Sequence, residues 1–148
     1  NACAKSGDVD LAFRVRDRMV DKEVTLDVVA YNSLIDACAN SGAIKKAHQV
    51  WDQMKREQVQ PDKITLTSLM RAHAKQGDLK GTLEVWDDMH LRGMLPDAQT
   101  FTCLLDACAK ARNASLGETM MGWMREQGEQ PNEVHFTALI DACVLGGD

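Results

Sequence analysis

The sequence predicts an all-α protein, a right-handed α-solenoid of stacked helix-turn-helix repeats. Three observations predict it. The first is a 35-residue period: Cys3, Cys38, Cys108 and Cys143 fall on one grid, with His73 in the slot between Cys38 and Cys108. Met19, Met54, Met89 and Met124 keep the same beat, as do Ala2, Ala37, Ala72, Ala107 and Ala142. The second is punctuation. Pro61, Pro96 and Pro131 stand at one place in the period, where Leu26 stands earlier. The third is that apolar residues recur at helical spacing twice in each period. A fixed period of about 20–50 residues marks a solenoid or array, whose units bury their apolar faces only by stacking.

The unit over residues 28–62 is read most directly. Tyr31, Leu34, Ile35 and Cys38 form the i, i+3, i+4, i+7 stripe of an amphipathic helix. Gly42 is a natural stop, because glycine accepts the left-handed conformation at a helix end. Ile44, Ala47, Val50, Trp51 and Met54 make the second stripe, Pro61 ends the unit, and Asp62 is placed to cap the next helix. In 63–97 the expected helices are 64–76 and 79–91, with Gly77-Asp78 as stop and N-cap. In 98–132 the first helix is expected over 99–111, with Arg112 in place of the turn glycine and Ser115 as N-cap of the second. Residues 1–27 carry the end of one unit and 133–148 the start of another. Ala12, Ala47, Thr82 and Gly117 share a column of small residues, where two helices should approach closely.

Composition narrows the function. The chain has 148 residues, 45% of them hydrophobic, and a net charge of −5. No apolar run approaches the roughly 20 residues of a membrane span, so no membrane insertion is expected. The acidic balance gives little long-range attraction for nucleic acid. The five cysteines, without a signal segment, do not read as a disulfide framework. The chain starts inside a unit and without an initiator Met, which predicts a piece of a longer array with any targeting signal outside it.

The Cys/His column is read as core rather than as a metal site. Zinc ligands converge to about 2.0–2.3 Å from one ion, whereas packed helices lie about 8–10 Å apart. Cys103, off the grid, is read as packing too. Trp51 and Trp86 share a column of the second helix and are also expected to pack. Asn113-Ala114-Ser115 is read as a capped inter-helix turn. His48, His73, His90 and His135 form no triad, and no phosphate-binding glycine loop is present. No catalytic residue, no metal, no cofactor and no small-molecule substrate is expected, and the chain is not expected to be an enzyme.

A 35-residue helical hairpin ending in Pro-Asp resembles the pentatricopeptide repeat family, with its P-type unit. Val28-Val29-Ala30-Tyr31-Asn32-Ser33-Leu34-Ile35-Asp36-Ala37-Cys38, followed by Ser41-Gly42, is similar to that family's first helix and turn. Trp51-Asp52-Gln53-Met54 through Gln60-Pro61-Asp62 is similar to its second helix and end. The resemblance covers the whole chain, as one array of complete repeats over 28–62, 63–97 and 98–132 and partial ones over 1–27 and 133–148. The tetratricopeptide repeat, with a period of about 34 and a Trp/Leu-Gly/Tyr pattern, fits less well.

The resemblance implies sequence-specific binding of single-stranded RNA, one base per repeat, in organellar RNA processing, stability or translation in a mitochondrion or chloroplast. It implies that the fifth and last residues of each repeat select the base and that the second packs on it. Asn32 with Asp62 is then associated with U, Thr67 with Asp97 with G, and Thr102 with Asn132 with A. Thr137 leans towards a purine and Asp27 towards G or U. The central bases become 5′-U-G-A-3′. Val29, Ile64 and Val134 are the base-packing residues, and Gln99 departs from that apolar pattern. Lys5, Lys75 and Lys110 form a column suited to phosphates, broken by Asn40 and Leu145. Spacing supports a shared face, since Val29, Asn32 and Asp36 lie at i, i+3, i+7. If each base contributes about 1–3 kcal/mol, three repeats give roughly 3–9 kcal/mol against association costs of about 4–15 kcal/mol, so weak binding is expected. The alternative reading is a structural, protein-binding solenoid subunit of a large organellar assembly, with little or no RNA contact.

Overall fold

The computed structural model describes residues 9–146, so Ala2, Cys3 and Lys5 lie outside the described residues. The described residues form eight α-helices and no strand: α1 Val9–Asp21, α2 Val28–Ser41, α3 Ile44–Arg56, α4 Lys63–Lys75, α5 Leu79–Leu91, α6 Ala98–Lys110, α7 Ala114–Glu126 and α8 Glu133–Gly146. None of these helices is long and apolar enough to cross a membrane. The chain divides into two compact units, Asn1–Ala72 and His73–Asp148, with the division inside α4.

In the first unit α2 packs against α1 and α3. Its core is the apolar stripe read from the sequence: Tyr31, Ile35, Cys38, Ala47, Val50 and Met54 are fully buried. In the second unit α6 packs against α5, α7 and α8. Phe101, Leu104, Leu105 and Cys108 of α6 are buried there together with Met89, Met120 and Met124. Trp86 of α5 lies 5.5 Å from Phe101 and stacks on Trp123 of α7 at 6.3 Å. It is a packing residue, as its place on the second helix predicts. Trp51 is half-buried, with the Lys55 ammonium 5.4 Å over its ring.

The small-residue column is buried at Ala12, Ala47, Thr82 and Gly117. A Cβ on Gly117 would sit 3.0 Å from Cδ1 of Leu139, which keeps side chains out of the α7–α8 contact.

Helix boundaries follow from caps. Asp27, Asp62, Asp97 and Asn132 close one repeat and cap the first helix of the next, each with its side-chain oxygen accepting an early backbone N–H. The first helices therefore begin one residue earlier than the periodicity predicts, at Lys63 and Ala98 instead of 64 and 99. The N-cap of α7 is Asn113, not Ser115. Asn113 Oδ1 accepts from Leu116 N at 3.0 Å, and Ser115 stands exposed inside the first turn.

Two left-handed positions recur with the period. Within the hairpins they are Gly42, Gly77 and Arg112, at φ 72°, 69° and 56°. Between hairpins they are Glu23, Gln58, Gly93 and Gly128, at φ 56°, 58°, 67° and 80°. Arg112 fills a glycine position at a modest steric cost.

Cys38 and Cys108 of the cysteine column are core, Cys143 is half-buried, and Cys3 lies outside the described residues. Cys38 and Cys108 are fully buried, and burial pushes both thiols up to about 11. At pH 8 only about one molecule in a thousand would carry either thiolate in the folded state. Both should resist a thiol-specific reagent until urea unfolds the chain. Prompt labelling of either in the native protein would contradict this packing. Cys103 is buried and packs, as expected.

Candidate nucleic-acid interface

In the repeats over 28–62 and 98–132, the last residue, the fifth residue and the third residue of the next repeat meet at the start of a first helix. In the first unit these are Asp62, Asn32 and Thr65. Asn32 Nδ2 donates to both Asp62 carboxylate oxygens, at 3.0 and 3.2 Å. Asn32 Oδ1 accepts from the Thr65 hydroxyl at 2.5 Å. Thr65 N donates to Asp62 Oδ1 at 2.9 Å, and Asp62 N donates back to Thr65 Oγ1 at 3.1 Å, the reciprocal pair of a capping box. Burial works against the Asp62 charge. Hydrogen bonds from the Thr65 amide and the Asn32 side chain outweigh it and hold the carboxyl below its ordinary value.

In the second unit the corresponding residues are Asn132, Thr102 and His135. The Thr102 hydroxyl donates to the Ala98 carbonyl at 2.8 Å and lies 2.8 Å from His135 Nε2. Asn132 N donates to His135 Nδ1 at 3.1 Å, and Asn132 Oδ1 accepts from Val134 N at 3.0 Å. Asp97 caps α6 in the same way, within a capping box shared with Thr100. Thr67 is buried, Thr137 is exposed, and Asp27 caps α2 through Ala30 N at 2.8 Å.

The second position of each repeat carries an exposed side chain. Val29 is 66% exposed and Ile64 62% in the first unit, and Val134 is 57% exposed and Gln99 exposed in the second. Apolar β-branched residues this open gain nothing from the protein core, so each is available to a flat apolar surface.

Further along the first helices the charges are tied to one another. Asp36 pairs with Arg71 and accepts from Asn40 at 3.2 Å. Lys110 Nζ bonds Asp106 at 2.7 Å and the Ala74 carbonyl at 3.0 Å. Lys75 is exposed, and Lys5 lies outside the described residues. The expected cation column therefore reaches the structure as Lys75 and a Lys110 already engaged with a carboxylate. The sequence reading placed the base-selecting residues on one face, but it did not find Thr65 and His135. Their signal is the third position of the repeat, which holds a polar side chain in 63–97, 98–132 and 133–148.

Two-helix units of fixed length, each with a capped first helix, define an α-helical repeat protein of the solenoid class. A family model described as the pentacotripeptide-repeat region of PRORP matches residues 1–148, and the chain belongs to the pentatricopeptide repeat family. Solved structures of that family share the solenoid fold. The PPR domain of Arabidopsis thaliana protein-only RNase P 1 (PRORP1), in complex with tRNA, is 22% identical with a TM-score of 0.82, over 99% of this chain and 77% of that one. The pentatricopeptide repeat protein PPR10 from maize is 26% identical with a TM-score of 0.73, over 93% of this chain and 20% of that one. PPR10 in complex with an 18-nt psaJ RNA element is 24% identical with a TM-score of 0.82, over 95% of this chain and 21% of that one. The chain thus spans about a fifth of the PPR10 chains it matches. No curated protein matches it.

Proposed function

We propose that this chain is a non-catalytic reader of single-stranded RNA, taking one base per repeat, in the RNA metabolism of a mitochondrion or chloroplast. The observation that carries the reading is the pairing of fifth and last residues. Asn32 sits against Asp62, in a repeat whose second residue is the exposed Val29, and Thr102 lies with Asn132 around His135, where the following repeat supplies the exposed Val134. An edge of hydrogen-bonding groups next to an apolar ledge is what an unstacked base requires. PPR10 with an RNA element and PRORP1 with tRNA support the class of ligand. Within this reading Asn32/Asp62 takes U, Thr67/Asp97 takes G and Thr102/Asn132 takes A, in the order 5′-U-G-A-3′. Lys75 and Lys110 serve the phosphates, Lys110 by exchanging Asp106 for the backbone.

The test is a low-salt titration of the chain with short RNAs carrying U-G-A in register, followed by NMR shifts of the α2, α4 and α6 amides. Asn32→Thr should move the preference at the first base from U to G and leave the others unchanged. Binding that is unmeasurable at low salt, or indifferent to sequence, would overturn RNA reading and leave a protein-binding solenoid.

A further inference from the structure

At two places the third residue of a repeat bonds the fifth residue of the repeat before it, Thr65 with Asn32 and His135 with Thr102. We propose that Thr65 and His135 are positioning residues that fix the hydrogen-bond polarity of Asn32 and Thr102, and so determine which base each accepts. This rests on the RNA reading above. It adds a residue to the code: Asp62 sets which end of Asn32 it takes and Thr65 pins the other end, whereas Thr102 and Asn132 alone leave the polarity of Thr102 open.

The first unit shows the logic. A carboxylate only accepts, so Asp62 takes the amide end of Asn32 and not its oxygen. Thr65 Oγ1 already accepts from Asp62 N, has one proton to give, and lies 2.5 Å from Asn32 Oδ1 and 3.0 Å from Asp62 Oδ1. The shorter contact goes to Asn32. The side chain is then held at both ends, with one N–H and one lone pair unused by these bonds. Uracil offers the complement, a carbonyl oxygen next to the N3–H.

In the second unit the same task falls to a histidine. A backbone N–H can only donate, so His135 Nδ1 must accept from Asn132 N. The proton of the neutral ring is therefore on Nε2, which donates to Thr102 Oγ1 at 2.8 Å and faces the Ala98 carbonyl at 3.2 Å. The Thr102 proton is itself spent on Ala98 O. Thr102 can offer a base only a lone pair. Asn132 Oδ1 is occupied by Val134 N, so its NH2 faces outward as the donor. Acceptor beside donor matches adenine N6–H and N1 and mismatches guanine O6 and N1–H. His135 is 1% exposed, which holds this arrangement against water.

Reach explains the residue types. A long reader, Asn32, meets a short third residue, Thr65. A short reader, Thr102, meets a long one, His135. His135→Thr should therefore keep the capping box that Thr65 and Thr100 make in their own repeats, yet fall short of Thr102.

The experiment compares wild type with His135→Thr, each titrated with 5′-UGA-3′ and 5′-UGG-3′ RNA. Wild type should favour the adenine RNA. The variant, compared with wild type at a temperature where both are folded, should lose about tenfold of that preference, the loss of one ordinary hydrogen bond. An unchanged A-to-G ratio overturns the proposal while leaving RNA reading intact. The RNA-free arm is independent of that reading: ring 15N shifts of His135 should report the Nε2–H tautomer at neutral pH. An Nδ1–H tautomer would overturn the proposal whether or not the chain binds RNA.

Discussion

Gly81→Ala should destabilise the chain by about 2–5 kcal/mol net, although alanine is ordinarily the better helix former by about 1 kcal/mol. The Asp78 carboxylate does two things at once. Its Oδ1 accepts from Gly81 N at 2.9 Å and caps α5, while Oδ2 lies 2.8 Å from His73 Nδ1. A Cβ on Gly81 would overlap the His73 ring and Asp78 Oδ2. His73 is only 5% exposed, so its ring cannot swing into water. The substitution would displace the cap, the histidine contact and the local packing together, with losses of about 1, 1–2 and 1–3 kcal/mol. Gly122 is the internal control. It lies inside α7 with nothing within 4 Å of a Cβ, so Gly122→Ala should stabilise by about 0.5–1 kcal/mol. Urea unfolding of the two variants checks the opposite signs. The double variant His73→Cys/Gly81→Ala should recover most of the loss, because cysteine is the residue this chain places in that slot at 38 and 108. If it recovers nothing, the clash is not the cause.

That pair shows how much was legible in the sequence. The grid marked His73 as the odd member of a core column, and burial at Cys38, His73 and Cys108 agrees. The compensation lies eight residues on, where Lys46 and Leu116 give way to Gly81, and a column-by-column reading does not couple the two. Periodicity located the helices and their buried stripes because both follow from local spacing. It did not locate the second left-handed position, since Glu23 and Gln58 hide a site that Gly93 and Gly128 would have marked. It found Asn32 and Thr102 through resemblance. Thr65 and His135 escaped because their role depends on a distance across 33 residues of chain, which spacing within one helix does not encode.

Asp62→Ala should cost about 2–4 kcal/mol near neutral pH, and acid should reproduce part of that loss in the wild type. Removing the carboxylate takes away the N-cap of α4, typically worth about 1 kcal/mol. It also leaves the largely buried Asn32 amide without its acceptor, at about 1–3 kcal/mol. The pH dependence has a definite sign. The folded Asp62 carboxyl ionises below its ordinary value, so its contribution is fully present above the unfolded value of about 3.9 and is lost as pH falls through the lower folded value. Asp62→Asn removes this proton linkage but keeps a capping amide, as Asn132 does one hairpin pair later. Its stability should therefore fall less steeply than wild type below about pH 4. Equal acid limbs for the two proteins would assign the acid sensitivity to other carboxylates. The same carboxylate orients Asn32, so stability and base choice meet in one residue. Recoding the last position to Asn keeps the helix start, whereas recoding it to an apolar residue forfeits both the cap and the reader.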